Sequence, residues 1–336
     1  MTTTTETTSV TERQISYREA INEALQQEMA RDESVFVAGI DLAQMGDVFG
    51  VTAGILSKFG PRRIMDTPIS ESAIVGMAIG AASQGLRPVI SLMFIDFIGV
   101  CFDQIINQMA KMKYMFGGKV KLPLTVLVNA GAGTGMAAQH SQSLEALLCH
   151  IPGLKVVMPS MPADAKGLMT TAMREDNPVF MIMHKRCSGI RGNVSEGDVT
   201  VPLGKAAVVR EGTDATIVAT AYMVHEAIKA ADQLAQEGIE VEIVDPRSLQ
   251  PLDMDTIIAS VSKTHRVLTV HEAVEFGGMG AEINAQIASD AFDYLDAPPL
   301  RLGAPFSPVP YSPPLEREWV VNKDQILEAT RRLLQA

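Results

Sequence analysis

Aromatic residues are scarce in this 336-residue chain, at 5% with a single tryptophan, and charged residues reach only 20%. The filling is instead done by Val, Ile, Ala, Gly and Met, a profile that suits helices packed on parallel sheets. Cysteine is nearly absent. The three present, Cys101, Cys149 and Cys187, lie far apart and form no CxxC pair, which excludes a disulfide framework and a zinc site and points to a reducing, cytoplasmic setting. No basic run exceeds two residues against a formal net charge of −11, so the chain lacks the basic face that a nucleic-acid binder needs. Long apolar runs are missing too. The most apolar stretch, "VISLMFIDFIGVCF" (Val89 to Phe102), is too short for a membrane span and contains Asp96. There is no GxSxG elbow, no HExxH and no complete phosphate-binding GxxxxGK followed by Ser or Thr, so the usual hydrolase, zinc and nucleoside-triphosphate readings have no support.

What is present is alternation. Tyr17 to Arg31 has helical spacing, and "SVFVAGIDL" after it reads as a buried strand. The runs "RPVISLMF", "PLTVLVNAGAG", "LKVVMPS" and "PVFMIMH" follow, each separated by enough chain for a helix. After a Gly- and Ser-rich lapse a second series starts with "ATIVAT" and ends in a helix from Asn322. The length suits about two domains. We expect a disordered tail over residues 1–12, a first α/β domain over 13–190, a linker over 191–207 and a second α/β domain over 208–336, both doubly wound.

Three features invite chemistry, and each has an ordinary account. Gly133, Gly135 and Ala138 fit GxGxxA after a strand, but the acid expected about 20 residues later is missing, so a tight turn is the better reading than nicotinamide binding. Glu71, in "DTPISESAIVGMAIGAA", opens an apolar helix. On pattern alone it reads first as a first-turn acid worth up to about 1 kcal/mol against the helix dipole, with Ser70 as the cap. Gly76 and Gly80 suggest that this helix meets another backbone closely, with a subunit interface as one place for the contact. His140 lies after the glycine turn, where open α/β sheets place ligands, although a solvated histidine is the commoner case. By the same base rate the Met93, Phe94 and Phe97 cluster reads as core.

Taken together, "DTPISESAIVGMAIGAA", "LMFIDFIGVCFDQIINQMAKMKYMFGGK", "AAQHSQSLEALLCHIPGLKVVMPSMPADAKGLM" and "VEIVDPRSLQPLDMDTI" resemble the β subunit of the thiamine-diphosphate-dependent first component of 2-oxoacid and acetoin dehydrogenase complexes. The resemblance runs from about Arg13 to the C-terminus and is greatest to the acetoin branch. It implies a transketolase-like pyrimidine-binding domain followed by a transketolase C-terminal domain. It also implies a catalytic subunit that cleaves a two-carbon unit from acetoin, or decarboxylates pyruvate, and passes it to lipoamide. A branched-chain 2-oxoacid substrate and a noncatalytic scaffold role are the alternatives. By the same resemblance Glu71 would hydrogen-bond the pyrimidine ring of the cofactor, Ile69, Met93 and Phe97 would line its pocket, and His140 would assist proton transfer. A potassium ion would lie between Leu124 and Thr125 and the backbone of Ala172, Glu175 and Asn177, carbonyl oxygens being suitable ligands for a hard cation.

The chain contains no GDG, the motif that in this family holds magnesium and the diphosphate. That absence implies a separate α subunit carrying the motif; the resemblance implies an assembly of two α and two β chains, and the acidic balance with a C-terminal domain of this type would suit docking to a basic lipoyl acyltransferase core. The sequence departs from the family pattern where Ile40 replaces an acid, where Leu127 replaces an arginine, and where "RCSGIRG" replaces a Leu-Tyr loop. These departures bear on substrate and partner contacts.

Overall fold

The computed structural model describes residues 12–336. The expected tail therefore lies outside the described residues, apart from Glu12, which opens strand β1 (Glu12–Ser16). A seven-stranded sheet is built from β2 (Val35–Gly39), β3 (Ile64–Asp66), β4 (Arg87–Phe94), β5 (Thr125–Ala130), β6 (Lys155–Val157) and β7 (Val179–His184), with β12 (Ser248–Gln250) at one edge. Its order is β12-β6-β7-β5-β4-β2-β3, and every pairing is parallel except β12 with β6. A five-stranded sheet, β14-β13-β10-β11-β9, follows from β9 (Ala207–Arg210), β10 (Ala215–Ala219), β11 (Val241–Asp245), β13 (Val267–Val274) and β14 (Leu300–Ala304). There only β9 runs antiparallel. Between the two sheets in sequence, β8 (Arg191–Ser195) pairs with β1, so the start of the expected linker is a strand.

Side chains alternate across a strand, and here the alternation sorts residues into two cores. Ile90, Val126, Val128, Phe180 and Ile182 face one core, whereas Val89, Leu127, Val179 and Met181 face the other. Helix Glu71–Ser83 covers the first face; helices Tyr17–Arg31 and Pro162–Arg174 cover the second. The second sheet is covered on both faces in the same way, by Tyr222–Ala235 and Lys323–Gln335 on one side and Met254–Thr264 and Met279–Asp290 on the other. This is the doubly wound arrangement that the alternation of strand and helix implies.

Helix starts follow local chemistry. Ser16 and Glu19 close a reciprocal capping box, as do Asn322 and Gln325. Ser70 breaks the expectation: its side chain makes no capping hydrogen bond. The Glu71 helix is therefore held by its buried face, where full burial of Ile74, Val75 and Ile79 contributes about 1.5–3 kcal/mol each. Its opposite face is bare. Beyond the helix's own backbone, no atom of the described residues comes within 4 Å of a Cβ built at Gly76 or Gly80, so the described residues supply no close backbone neighbour there. No helix among the described residues is long and apolar enough to cross a membrane.

Candidate active site

The carboxyl ends of β4, β5 and β7 end together, and the residues that follow them build the site. Helix Glu71–Ser83 contributes from the side. Glu71 is 6% exposed, and no hydrogen-bond donor or cation reaches its carboxylate among the described residues. It faces Cys101, whose thiol is pushed up to about 12, first by burial and then by the Glu71 charge. The side chain is packed away as a whole, but its carboxylate oxygens are not among the buried atoms without a partner, so they open onto the space beside the helix. Its geometry therefore fits a hydrogen-bonding group supplied from outside the chain.

From Glu71 the contacts lead to His140. Ser72 Oγ donates to the Val100 carbonyl at 2.8 Å, tying the helix start to the segment Ile95–Cys101. Cys101 Sγ sits 3.8 Å from the Phe97 carbonyl oxygen. The Phe97 ring meets the His140 ring edge-on at 5.4 Å, and Phe94 meets it at 4.8 Å. Phe94 also packs on Phe49 at 5.9 Å, completing an aromatic wall. Asp96 fixes the chain beyond His140 by accepting from the Gln142 backbone N–H at 3.2 Å and from Gln142 Nε2 at 2.9 Å. Met93 sits at φ 57°, with its carbonyl accepting from Asn129 Nδ2 at 2.8 Å. That left-handed conformation costs about 1–2 kcal/mol in an L-residue, and the Asn129 bond helps to hold it. Ile69, two residues before Glu71, is 77% exposed. The structure thus links Glu71, Phe97 and His140 through successive contacts, places Met93 on the adjoining strand, and leaves Ile69 at the surface.

The glycine turn has a different task from the one its pattern suggests. The Gly133 N–H donates to Glu316 at 2.8 Å, and the Gly135 N–H reaches both oxygens of the same carboxylate, at 3.1 and 3.3 Å. Ala132 N–H donates to Glu272, which also receives His184 Nε2 at 3.0 Å. Two carboxylates from the C-terminal half therefore fill the backbone donors that would cradle a phosphate, and they brace the loop leading to His140. Burial would raise the Glu272 carboxyl, but His184 and the Ala132 N–H overcome it and hold it below its usual range.

Sequence reasoning missed these groups, along with Lys185 and Glu145. The visible signal was "HKRC", two basic residues directly after an apolar strand, at the strand end where sites form. Glu145 is 1% exposed and raised to about 7, first by burial and further by Glu272. Its folded value exceeds the ordinary 4.5, so the native state binds the proton more tightly than the unfolded chain does. Stability is then expected to fall as pH rises from about 4.5 to about 7, by on the order of 3 kcal/mol from this group. Urea midpoints of wild type and Glu145→Gln should diverge across that window, with the variant the more stable near pH 7. Parallel curves would refute the assignment.

Around the positions suggested for potassium the chain is held by its own hydrogen bonds. Val179 N–H donates to the Leu124 carbonyl at 2.9 Å and Leu122 N–H to the Asp176 carbonyl at 3.1 Å, so the start of β5 lies against the end of helix Pro162–Arg174. Cationic side chains already work there. Arg87 Nη1 reaches the Met173 and Glu175 carbonyls at 3.1 and 3.2 Å, Lys113 holds Asn177 Oδ1 at 2.7 Å, and Lys155 holds Glu175 Oε2 at 2.6 Å. Thr125 and Ala172 are buried. Among the described residues no group of three or more His, Cys, Asp or Glu side chains could hold a metal ion. Of the departures, Ile40 and Leu127 are buried core residues, and the "RCSGIRG" loop docks on the first helix through the Ser188 and Ile190 carbonyls.

Residues 13–189 match the transketolase pyrimidine-binding domain and residues 204–326 the transketolase C-terminal domain. The chain is 48% identical over 334 residues to the acetoin:2,6-dichlorophenolindophenol oxidoreductase subunit beta of Bacillus subtilis (strain 168), covering 96% of this chain and 98% of the relative. It is 44% identical over 321 residues to the 2-oxoisovalerate dehydrogenase subunit beta of the same organism, covering 95% and 98%. Among solved structures, a split-gene transketolase described as an inactive β4 tetramer superposes with a TM-score of 0.79 at 25% identity, covering 96% of this chain and 99% of that one.

Proposed function

This chain belongs to the family of transketolase-type β subunits of acetoin and 2-oxoacid dehydrogenases, and from that premise we propose that it is the catalytic β subunit of an acetoin dehydrogenase. The enzyme would use thiamine diphosphate, cleave the bond next to a carbonyl and transfer the two-carbon unit to lipoamide. The observation that carries the reading is Glu71, a residue only 6% exposed whose carboxylate has no donor among the described residues, at the edge of an aromatic-walled site. When bound, the cofactor supplies the carbon nucleophile and carries the two-carbon unit. Glu71 would hydrogen-bond the pyrimidine ring nitrogen and hold a proton there, its helix turn fixed on the core by the buried Ile74 and Val75. Met93 and Phe97 shape the pyrimidine pocket, with Ile69 joining it once a neighbouring chain covers the exposed side.

His140 acts at the acceptor end. On opening of the lipoyl disulfide, one sulfur would bond to the two-carbon unit and the other would leave with the S–S electron pair; the unit's bond to the cofactor then breaks, its two-electron oxidation to the acyl level being balanced by reduction of the disulfide, and His140 would give a proton to the departing thiolate.

Because the chain has no GDG, the diphosphate and magnesium are assigned to an α subunit, in an assembly of two α and two β chains that docks on a lipoyl acyltransferase core. Potassium, if held, would use the carbonyls of Leu124, Thr125, Ala172, Glu175 and Asn177. Residues 13–190 and 208–336 would be the two domains on either side of the 191–207 linker, and the three free thiols suit the cytoplasm.

The relative acting on 2-oxoisovalerate keeps a branched-chain substrate as the second reading. The test is reconstitution with the α subunit followed by acetoin, pyruvate and branched 2-oxoacids as substrates. Acetoin is expected to be fastest. Fast pyruvate or branched-acid turnover with inert acetoin would move the chain to another branch.

A further inference from the structure

Lys185 is 4% exposed, yet no carboxylate stands within ion-pair distance of it among the described residues. Its ammonium instead donates to the His140 carbonyl, lies 3.4 Å from Ser141 Oγ and 3.7 Å from Met136 Sδ, and sits 5.7 Å from the centre of the Phe94 ring. The same Phe94 ring packs against the His140 imidazole at 4.8 Å. Backbone and ring of His140 are thus fixed by one buried pair, Lys185 below the peptide and Phe94 against the imidazole. Burial lowers the pKa of this ammonium, while Asp96, Glu272 and Glu316 favour its charge from longer range without offsetting the burial.

A buried cation without a paired carboxylate costs several kcal/mol in desolvation, and an apolar side chain of the same length would fill the space without that cost. Structural packing alone gives no reason for a lysine here. Holding a peptide carbonyl in place does, because a charge-assisted hydrogen bond is stronger than a neutral one and fixes the direction of the chain at that point.

We infer that Lys185 is a positioning residue for His140, clasping its peptide carbonyl so that the imidazole, wedged between Phe94 and Phe97, stays aimed at the acceptor during acyl transfer. The inference rests on the proton-transfer reading of His140, and the experiment separates the two. The holoenzyme with its α subunit is assayed in two ways. One assay follows transfer to the lipoyl domain. The other uses 2,6-dichlorophenolindophenol, a dye that takes electrons without any disulfide to protonate.

Lys185→Met keeps the length and removes the donor. It should lower the ratio of lipoyl-coupled to dye-coupled kcat by about tenfold or more. The Km for the two-carbon donor should stay within about threefold. Lys185→Arg, which retains a cationic donor, should restore most of that ratio. With His140→Ala already in place, adding Lys185→Met should cost little more, because the two act as one unit.

If His140→Ala leaves the ratio unchanged, the reading of His140 fails. If His140→Ala lowers it while Lys185→Met lowers both assays equally, or neither, the positioning role is overturned. Should Lys185→Met not assemble with the α subunit, Lys185→Gln takes its place in the same comparison, with the same outcomes deciding.

Discussion

Replacing Glu71 by Gln is expected to cut turnover of the assembled enzyme by about 10²- to 10⁴-fold while leaving the fold and the assembly in place. The carboxylate has no internal donor to lose, so the isosteric amide breaks no bond of the native chain. The structural cost is then limited to the helix-dipole contribution of a first-turn acid, at most about 1 kcal/mol. Gln cannot share a proton with a ring nitrogen as a carboxyl does, so the whole effect should fall on kcat. Circular dichroism and sedimentation should match wild type. If the variant turns over within a few-fold of wild type, Glu71 is only a first-turn acid and the scaffold reading gains ground.

The second large effect concerns the missing half of the site. Without an α subunit this chain is expected to give no measurable acetoin or 2-oxoacid turnover, and adding the α subunit should restore it to full rate. The donors of its own glycine loop, where an anion would otherwise bind, are occupied by Glu272 and Glu316. The exposed Ile69 and the bare face around Gly76 and Gly80 leave the helix beside Glu71 uncovered by the described residues. A single chain therefore offers the acid and the aromatic wall but no phosphate anchor. Turnover by the purified chain at more than a few per cent of the assembled rate would contradict this.

Much of the scaffold was legible because it follows strong local signals. The helix Tyr17–Arg31 and the strands β2, β4, β5, β7, β10, β11 and β13 coincide with apolar runs whose period fits their structure. Strands β1, β3, β8, β9, β12 and β14 did not stand out, since they are short or run along sheet edges and their pairing is decided by distant partners such as β8 for β1. The site divides in the same way. Glu71 and His140 were visible through motif context, whereas Glu272, Glu316 and Lys185 matter through contacts 45 to 183 residues apart, which no local pattern encodes. Ser70 failed for the complementary reason: its local pattern was genuine, but its side chain makes no cap bond.

The most direct measurement is a calorimetric titration of thiamine diphosphate with magnesium, first into this chain alone and then into its mixture with the α subunit. No saturable heat is expected from the chain alone, and a single binding isotherm should emerge only from the mixture. A purified chain that takes up the cofactor as tightly as the mixture would show that it carries its own phosphate anchor, and the division of the site between two polypeptides would be wrong.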